Sequence, residues 1–365
     1  MTVYSSSSVA PDGGPGATGP GTTNKGKARL ARFRALPGWR KTLIIAGVLL
    51  LIGATGSAAA AFGLVHRYES RVKHEDLLGD AAVPKNEERW KAGPLNLLLL
   101  GSDSRAGERE EGKFAGERSD AIMLVHISAD RSKAAIISIP RDSYVDIPAD
   151  GTWKGGKNKL NAAFAHGGSA LTAKTVSQLT GVPLDGAMIA NFAGIRTMVD
   201  AVGRVNVCVP YDVDSSFSDR FWKKGCHEMD GAEAEEFMRQ RMNVPGGDFG
   251  RMHDQQLVVK AIIEKVAAAG VLSNPLTFDK LLLTAAGALT IDKSLDLREL
   301  AMTVRDIRPA SVQFATVPHR NPGLKTSAGS AVELDPQKAP ALFQAIRSDA
   351  VEQWLAANPA PTKPA

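Results

Sequence analysis

Between Thr42 and Val65 the chain runs TLIIAGVLLLIGATGSAAAAFGLV, roughly two dozen residues without a charge. About 20 such residues suffice to cross a bilayer as a helix. The run therefore predicts one transmembrane helix over 42–65 and divides the chain into parts that cannot share a core. Lys25, Lys27, Arg29, Arg32, Arg34, Arg40 and Lys41 precede it, against one acid, Asp12. The positive-inside rule then places residues 1–41 in the cytoplasm and everything after the span outside the cell membrane. A cleaved signal peptide is the alternative, because GSAAAAF supplies small residues suited to a cleavage point. The long preceding arm and the apolar residues continuing to Val65 favour a retained anchor.

The basic character of the chain belongs to this arm. Of a formal net charge of +5, residues 1–41 account for +6, which leaves about −1 for the rest. A short basic arm without a helix-turn-helix is not the electrostatic footprint of a nucleic-acid-binding domain. Ser5 to Asn24 is a Ser, Thr, Gly and Pro run with almost nothing to bury, and is expected to be disordered. The only two cysteines, Cys208 and Cys226, both follow the span. In an exported domain they are expected to pair, closing a loop worth roughly 3 kcal/mol in the chain-entropy model. Two separate buried thiols are the alternative.

Residues 66–93 are polar and interrupted by Pro84, and read as a stalk with one helix near Tyr68 to Leu77. Folded structure is expected from Leu95. Four short apolar runs read as strands: Leu95 to Gly101, Ala121 to Ile127, Ala134 to Pro140 and Val205 to Pro210. Helical periodicity covers Ala170 to Leu179, Phe192 to Val202 behind an Asn191 cap, Ala232 to Met238, Met252 to Ala269, Phe278 to Leu289, Leu297 to Ile307 and Ala339 to Ile346, with a strand at Val312 to Val317. Mixed order of this kind predicts one α/β domain over 94–350, a central sheet with helices on both faces, followed by a Pro-rich tail over 351–365.

The sequence lacks GxGxxG, Walker A, GxSxG, HExxH and a CxxC pair, which argues against hydride transfer, P-loop hydrolysis and zinc proteolysis. What it carries instead is Asp and Arg at strand ends. Asp103 follows the first strand in GSDSR and Asp120 opens the second in GERSDAIML. If those strands are antiparallel neighbours, both carboxylates meet at one sheet edge, where they suit Mg²⁺ bound to substrate phosphates; taken singly, each is as readily a turn or capping residue. Arg118, Arg141, Arg239, Arg241 and Arg251 form a second set. Converging guanidinium forks match the oxygens of a polyanion, whereas a solvated charged face is the plainer reading of the same residues.

In order along the chain, LLLLGSDSR, RSDAIMLVHI, SIPRDSYVDIP, KLNAAFAHGG and MRQRMNVPGGDFGRMHDQQ resemble the motifs of the LytR-CpsA-Psr proteins. The likeness spans Pro94 to Leu272, with weaker agreement to about Ala350. It implies a single α/β/α sandwich with a central mixed sheet, an apolar tunnel for a polyprenyl tail, and transfer of a glycopolymer from polyprenyl pyrophosphate to a peptidoglycan hydroxyl. The cofactor implied is Mg²⁺, with Mn²⁺ as a substitute. Carried over by motif, Asp103 and Asp120 resemble the metal carboxylates. Arg118, Arg141, Arg239 and Arg241 resemble the pyrophosphate clamp, and Lys159, Asp248, Arg251 and Gln255 further head-group positions. Asp103 is then the candidate general base, and Asp142 orients Arg141 or caps a turn. Phe164, Phe192, Met198 and Val199 line the tunnel or belong to ordinary core.

Departures from the family pattern are the long loop Ala106 to Glu117, Ala121 in place of a Thr, Arg204 in place of a second Gly, and Asp254 where a basic residue is common. They bear on acceptor or polymer preference, since the metal and clamp positions are intact. Two rival readings use the same residues: a polyprenyl-pyrophosphate phosphatase with water as acceptor, and a non-enzymatic lipid-binding envelope regulator.

Overall fold

The computed structural model describes residues 72–102, 119–151, 153–268 and 275–359. The expected arm, span and Pro-rich end at 360–365 lie outside these residues, as do Asp103 and Arg118. Among the described residues no helix is long and apolar enough to cross a membrane.

The chain enters through strand β1 (Lys73–Glu75) and helix α1 (Glu87–Ala92), then forms β2 (Leu95–Ser102), β3 (Ser119–Ile127), β4 (Ala134–Ser138) and the ribbon β5 (Tyr144–Ile147) with β6 (Gly156–Lys159). Helix α2 (Leu160–Thr180), β7 (Gly186–Asn191) and α3 (Phe192–Val202) follow. Next come β8 (Val205–Val209), β9 (Val213–Asp214), β10 (Phe221–Trp222), β11 (Gly225–Met229), α4 (Gly231–Met238), α5 (Asp248–Ala268) and α6 (Pro275–Ala288). The last elements are β12 (Leu289–Asp292), α7 (Leu297–Val304), β13 (Val312–Thr316), the hairpin β14 (His319–Thr326) with β15 (Gly329–Leu334), α8 (Lys338–Arg347) and α9 (Val351–Ala357).

Seven strands make one mixed sheet in the order β1-β12-β7-β2-β3-β4-β13. Strand β2 runs antiparallel to β3, with Ser102 opposite Ser119, and parallel to β7. Strand period decides the layers. Leu98 and Leu100 of β2, with Ile122 and Leu124 of β3, face a core completed by Phe164, Leu171 and Val176 of α2 and Leu342, Phe343 and Ile346 of α8. Leu99 points the other way, toward Ile195 and Val199 of α3, Phe237 of α4 and Val258 of α5. The result is the expected α/β/α sandwich.

Four expectations are corrected. Lys73–Glu75 is a strand paired with β12, and Leu77 and Leu78 are fully buried, their N–H groups donating to the Asp292 carboxylate. The fold therefore begins before Leu95, and 72–93 is no stalk. Strand β8 lies outside the central sheet and pairs with β11. Leu289 ends no helix but opens β12. The tail after 350 forms α9, with Val351 buried and Trp354 and Leu355 packed on the core. Cys208 and Cys226 face each other across β8 and β11 and are joined by a disulfide.

Candidate active site

The carboxyl ends of β2, β4, β7 and β13 converge at one end of the sheet, where ligands of open α/β sheets gather. Asp120 is the second residue of β3, at this end. Arg141 lies in the turn after β4, whose shape is held by Ser143 Oγ donating to the Pro140 carbonyl (2.6 Å) and Asn161 N–H donating to the Arg141 carbonyl (2.9 Å). Gly246 and Gly247 both adopt left-handed φ, 80° and 58°, which turns the chain sharply into α5. Asp248 and Arg251 then share one face of the first helical turn, three residues apart.

Five predicted residues meet here. Arg141 binds the Asp120 carboxylate and lies 3.3 Å from Asp248. Arg251 Nη2 is 2.8 Å from Asp248 Oδ1 and donates to the Asp120 carbonyl at 3.3 Å, while its Nη1 lies 3.8 Å from Asp120 Oδ1. Arg241 reaches both carboxylates, at 3.9 and 3.7 Å. Three guanidinium groups thus share two carboxylates. Arg251 is only 3% exposed, and burial lowers its pKa, with Asp248 pulling the other way. The Nε atoms of Arg141 and Arg251 are buried without an acceptor among the described residues. Unspent buried donors around surplus positive charge are a binding site for an anion with several oxygens.

Other predicted residues fall elsewhere. Arg239 caps α4, 3.3 Å from Glu235, with its guanidinium 5.5 Å from the Phe192 ring and 5.1 Å from the Phe217 ring. It borders the cluster without joining its ion pairs. Lys159 pairs with Asp142 at 3.7 Å, and Asn161 Nδ2 donates to the same carboxylate at 3.2 Å. Asp142 therefore holds Lys159 and Asn161, and Asp120 and Asp248 orient Arg141.

Beside the arginines opens an apolar cleft of about 460 Å³, including its mouth. Leu99, Met123, Phe192, Ile195, Met238 and Val259 line it, with Asp120 and Gln255 at the polar side. Gln255 is buried and its Oε1 has no donor among the described residues. Gly101 and Ala121 face each other in the wall, and a Cβ on Gly101 would come 2.8 Å from that of Ala121, so this pair stays small. Phe192 is the one tunnel residue of the four considered that lines the cleft. Phe164 and Val199 are fully buried core, and Met198 packs against that core. Sequence reading missed Leu99 and Met123, because the runs LLLL and AIMLV are apolar throughout and hide the alternation, and it missed Met238, the last residue of α4.

Beneath the cluster Tyr211 donates to Asp254 at 2.7 Å. Asp254 is fully buried, its Oδ2 has no donor among the described residues, and burial pushes its pKa up to about 7.

An anionic head beside an apolar tail is what such a site can hold. The chain belongs to the LytR_cpsA_psr family, whose model matches residues 62–345. The Corynebacterium glutamicum probable cell wall biosynthesis protein LcpB is 32% identical over 277 residues, 73% of this chain and 64% of that protein. The chain thus spans less than two thirds of that relative. A Bacillus cereus polyisoprenyl-teichoic acid–peptidoglycan teichoic acid transferase, TagU, is 34% identical over 221 residues, 60% of this chain and 68% of its own. TagT bound to LI-WTA has the same fold, with a TM-score of 0.58 at 25% identity over 74% of this chain and 95% of that one.

Proposed function

We propose that the chain is a membrane-anchored glycopolymer transferase, moving a sugar phosphate from a polyprenyl-pyrophosphate carrier to a peptidoglycan hydroxyl outside the cell membrane. The observation that carries this reading is the junction of the Asp120, Arg141, Arg241, Asp248 and Arg251 cluster with the apolar cleft. The names of the transferase relatives support it.

Arg141, Arg241 and Arg251 bind the pyrophosphate oxygens bidentately and take up the charge that develops on the leaving polyprenyl phosphate. The acceptor oxygen forms a bond to the phosphorus bearing the sugar, and the bond from that phosphorus to the bridging oxygen breaks. The hydroxyl proton passes to a base, for which Asp103, next in sequence after Ser102, is the candidate. Leu99, Met123 and Phe192 hold the first isoprenoid units and exclude water.

Among the described residues no group of three carboxylate, His or Cys side chains could hold a metal ion. Asp120 gives one oxygen to Arg141. The donor set still fits Mg²⁺, which takes one or two carboxylates together with phosphate oxygens and water. Asp120 with Asp103 would hold Mg²⁺ or Mn²⁺, which supplies charge neutralisation on the phosphates when bound.

The test uses the full chain in detergent with a short-chain polyprenyl-pyrophosphate sugar and a peptidoglycan oligosaccharide, with Mg²⁺ or EDTA, read by mass spectrometry. A Mg²⁺-dependent sugar-phosphate adduct on the oligosaccharide is expected. Free sugar phosphate alone would make water the acceptor and the chain a phosphatase. Intact donor with every sugar tried would leave a binding module.

A further inference from the structure

We propose that His319 is a positioning residue for the active site: its imidazole, stacked on Phe249, holds the first turn of α5 against the turn after β4, so that Asp248 and Arg251 meet Arg141 and Asp120. The kinetic consequence rests on the reading above, in which these side chains hold a pyrophosphate.

The His319 and Phe249 rings are stacked, with centroids 4.1 Å apart and planes inclined by 22°. Aromatic rings in such contact attract beyond the area they bury. Phe249 follows Asp248 and precedes Arg251 by two residues, and those two are the residues of α5 that enter the ion pairs of the cluster. Whatever moves Phe249 therefore moves both charges.

On its other side His319 is fixed to the elements that carry Arg141. Thr316 lies opposite Ser138 in the parallel pair of β13 with β4, and Val317, fully buried, donates its N–H to the Ser138 carbonyl at 2.9 Å. His319 itself lies opposite Leu334 of β15, and Val332 of the same strand donates to the carbonyl of Asp142, the neighbour of Arg141, at 2.8 Å. The Asp335 N–H donates to the Pro318 carbonyl at 2.9 Å. Two turns further along α5, Gln256 Nε2 donates to Ser138 Oγ at 2.8 Å and to the Ala315 carbonyl at 2.9 Å. The stack supplies the matching tie at the start of the helix.

The start needs one, because the cluster does not hold itself together. Arg141 and Arg241 both oppose the charge on Arg251, and the three guanidinium groups share only two carboxylates. Like charges so close push apart until an anion enters between them. The chain leading into α5 resists little, since Gly246 and Gly247 form its left-handed turn and carry no side chain to pack. A ring contact opposes that repulsion without adding a charge. Burial lowers the His319 pKa against the pull of the Val317 carbonyl, so the imidazole is mainly uncharged at neutral pH.

The test compares three variants of the full chain in detergent. His319→Ala removes the ring, Phe249→Leu removes the stack from its other side, and His319→Phe keeps a flat ring over Phe249. Amide hydrogen exchange over residues 244–256, calorimetric binding of inorganic pyrophosphate and turnover of the short-chain donor are read for each. His319→Ala and Phe249→Leu should both speed exchange in that segment and weaken pyrophosphate binding about tenfold, the upper worth of one aromatic pair. Turnover should fall by up to about 10²-fold, the loss that a displacement of roughly 1 Å can bring. Combining the two substitutions should add little, since both remove one contact. His319→Phe should restore all three readouts.

Native exchange and native pyrophosphate affinity in His319→Ala overturn the proposal, and so does faster exchange throughout the chain, which would make His319 a residue of the fold at large. Native exchange and affinity in His319→Phe without turnover also overturn it, because the imidazole would then transfer a proton itself. If even the unaltered chain binds no pyrophosphate and turns over no donor, the functional reading fails, while exchange over 244–256 still decides whether the stack positions α5.

Discussion

The two ends of the central sheet treat their charges in opposite ways. At the end away from the site, Arg131 donates to the carbonyls of Gly93 (2.6 Å), Ser128 (2.8 Å), Arg89 (2.8 Å) and Trp90 (3.0 Å), closing the carboxyl end of α1. Arg89 meets Asp185 at 2.9 Å, and His126 bridges Asn96 and Asp349 at 2.8 and 2.9 Å. There the guanidinium and imidazole donors meet fixed protein acceptors. At the other end three arginines crowd two carboxylates, two buried Nε atoms lack an acceptor, and Asp254 and Gln255 each keep a buried oxygen without a donor among the described residues. Satisfied polar groups hold a fold together, whereas unpaired ones cost stability, and for the arginine Nε–H donors the oxygens of an anionic ligand can return it. The same residue type therefore does different work at the two ends.

The largest effect that would break this contrast lies at the site. Arg141→Ala removes the fork that holds Asp120 and meets the ligand, and should lower turnover about 10²–10³-fold, the usual loss for one donor to developing charge. The melting temperature should fall little, because the neighbouring Arg241 and Arg251 lose a like charge. A variant that unfolds but retains its specific activity would make Arg141 a structural residue.

Arg131→Ala should behave in reverse. Four carbonyls lose their donor, at a cost of about 2–3 kcal/mol in chemical denaturation, while turnover per folded molecule stays unchanged. Arg131 also has a left-handed φ of 58°, which the alanine retains, so the loss reports the guanidinium. Reduced turnover at full stability would erase the distinction between the ends.

How much of this was legible depended on where apolar and polar positions alternate. The strands β2, β3 and β4 and helix α3 with its Asn191 cap, whose Oδ1 accepts from Gly194 N–H at 2.7 Å, stand in the sequence much as they fold. Strand β7 escaped notice because GAMIAN is short and rich in small residues, and β12 because ALTID continues a helical pattern. The charged triplet of β1 reads as a stalk until Asp292 is seen to hold the residues after it. At the site, Asp120, Arg141, Arg241, Asp248 and Arg251 converge as motif order suggested. Arg239 and Lys159 do not join their ion pairs, because Glu235 and Asp142 hold them first. Local partners of that kind depend on side-chain direction, which spacing alone does not specify.

The smallest effect sharpens the comparison most, because it separates site chemistry from site stability. Asp254 is buried with a pKa raised to about 7, while an unfolded aspartate titrates near 3.9. The folded chain thus holds a proton that the unfolded chain has released. The stability linked to that proton is fully present below about pH 4 and is lost as pH rises through about 7. Tyr211, itself pushed up by burial and by Asp254, remains a donor throughout and compensates part of the ionised form. Asp254→Asn keeps an oxygen for Tyr211 and carries no charge at any pH. It should be more stable than the native chain by on the order of 2 kcal/mol at pH 8, and equal to it at pH 4, in paired denaturant titrations. A gain that does not change with pH would mean that Asp254 titrates normally, and that the buried cost at the active-site end lies with the arginines alone.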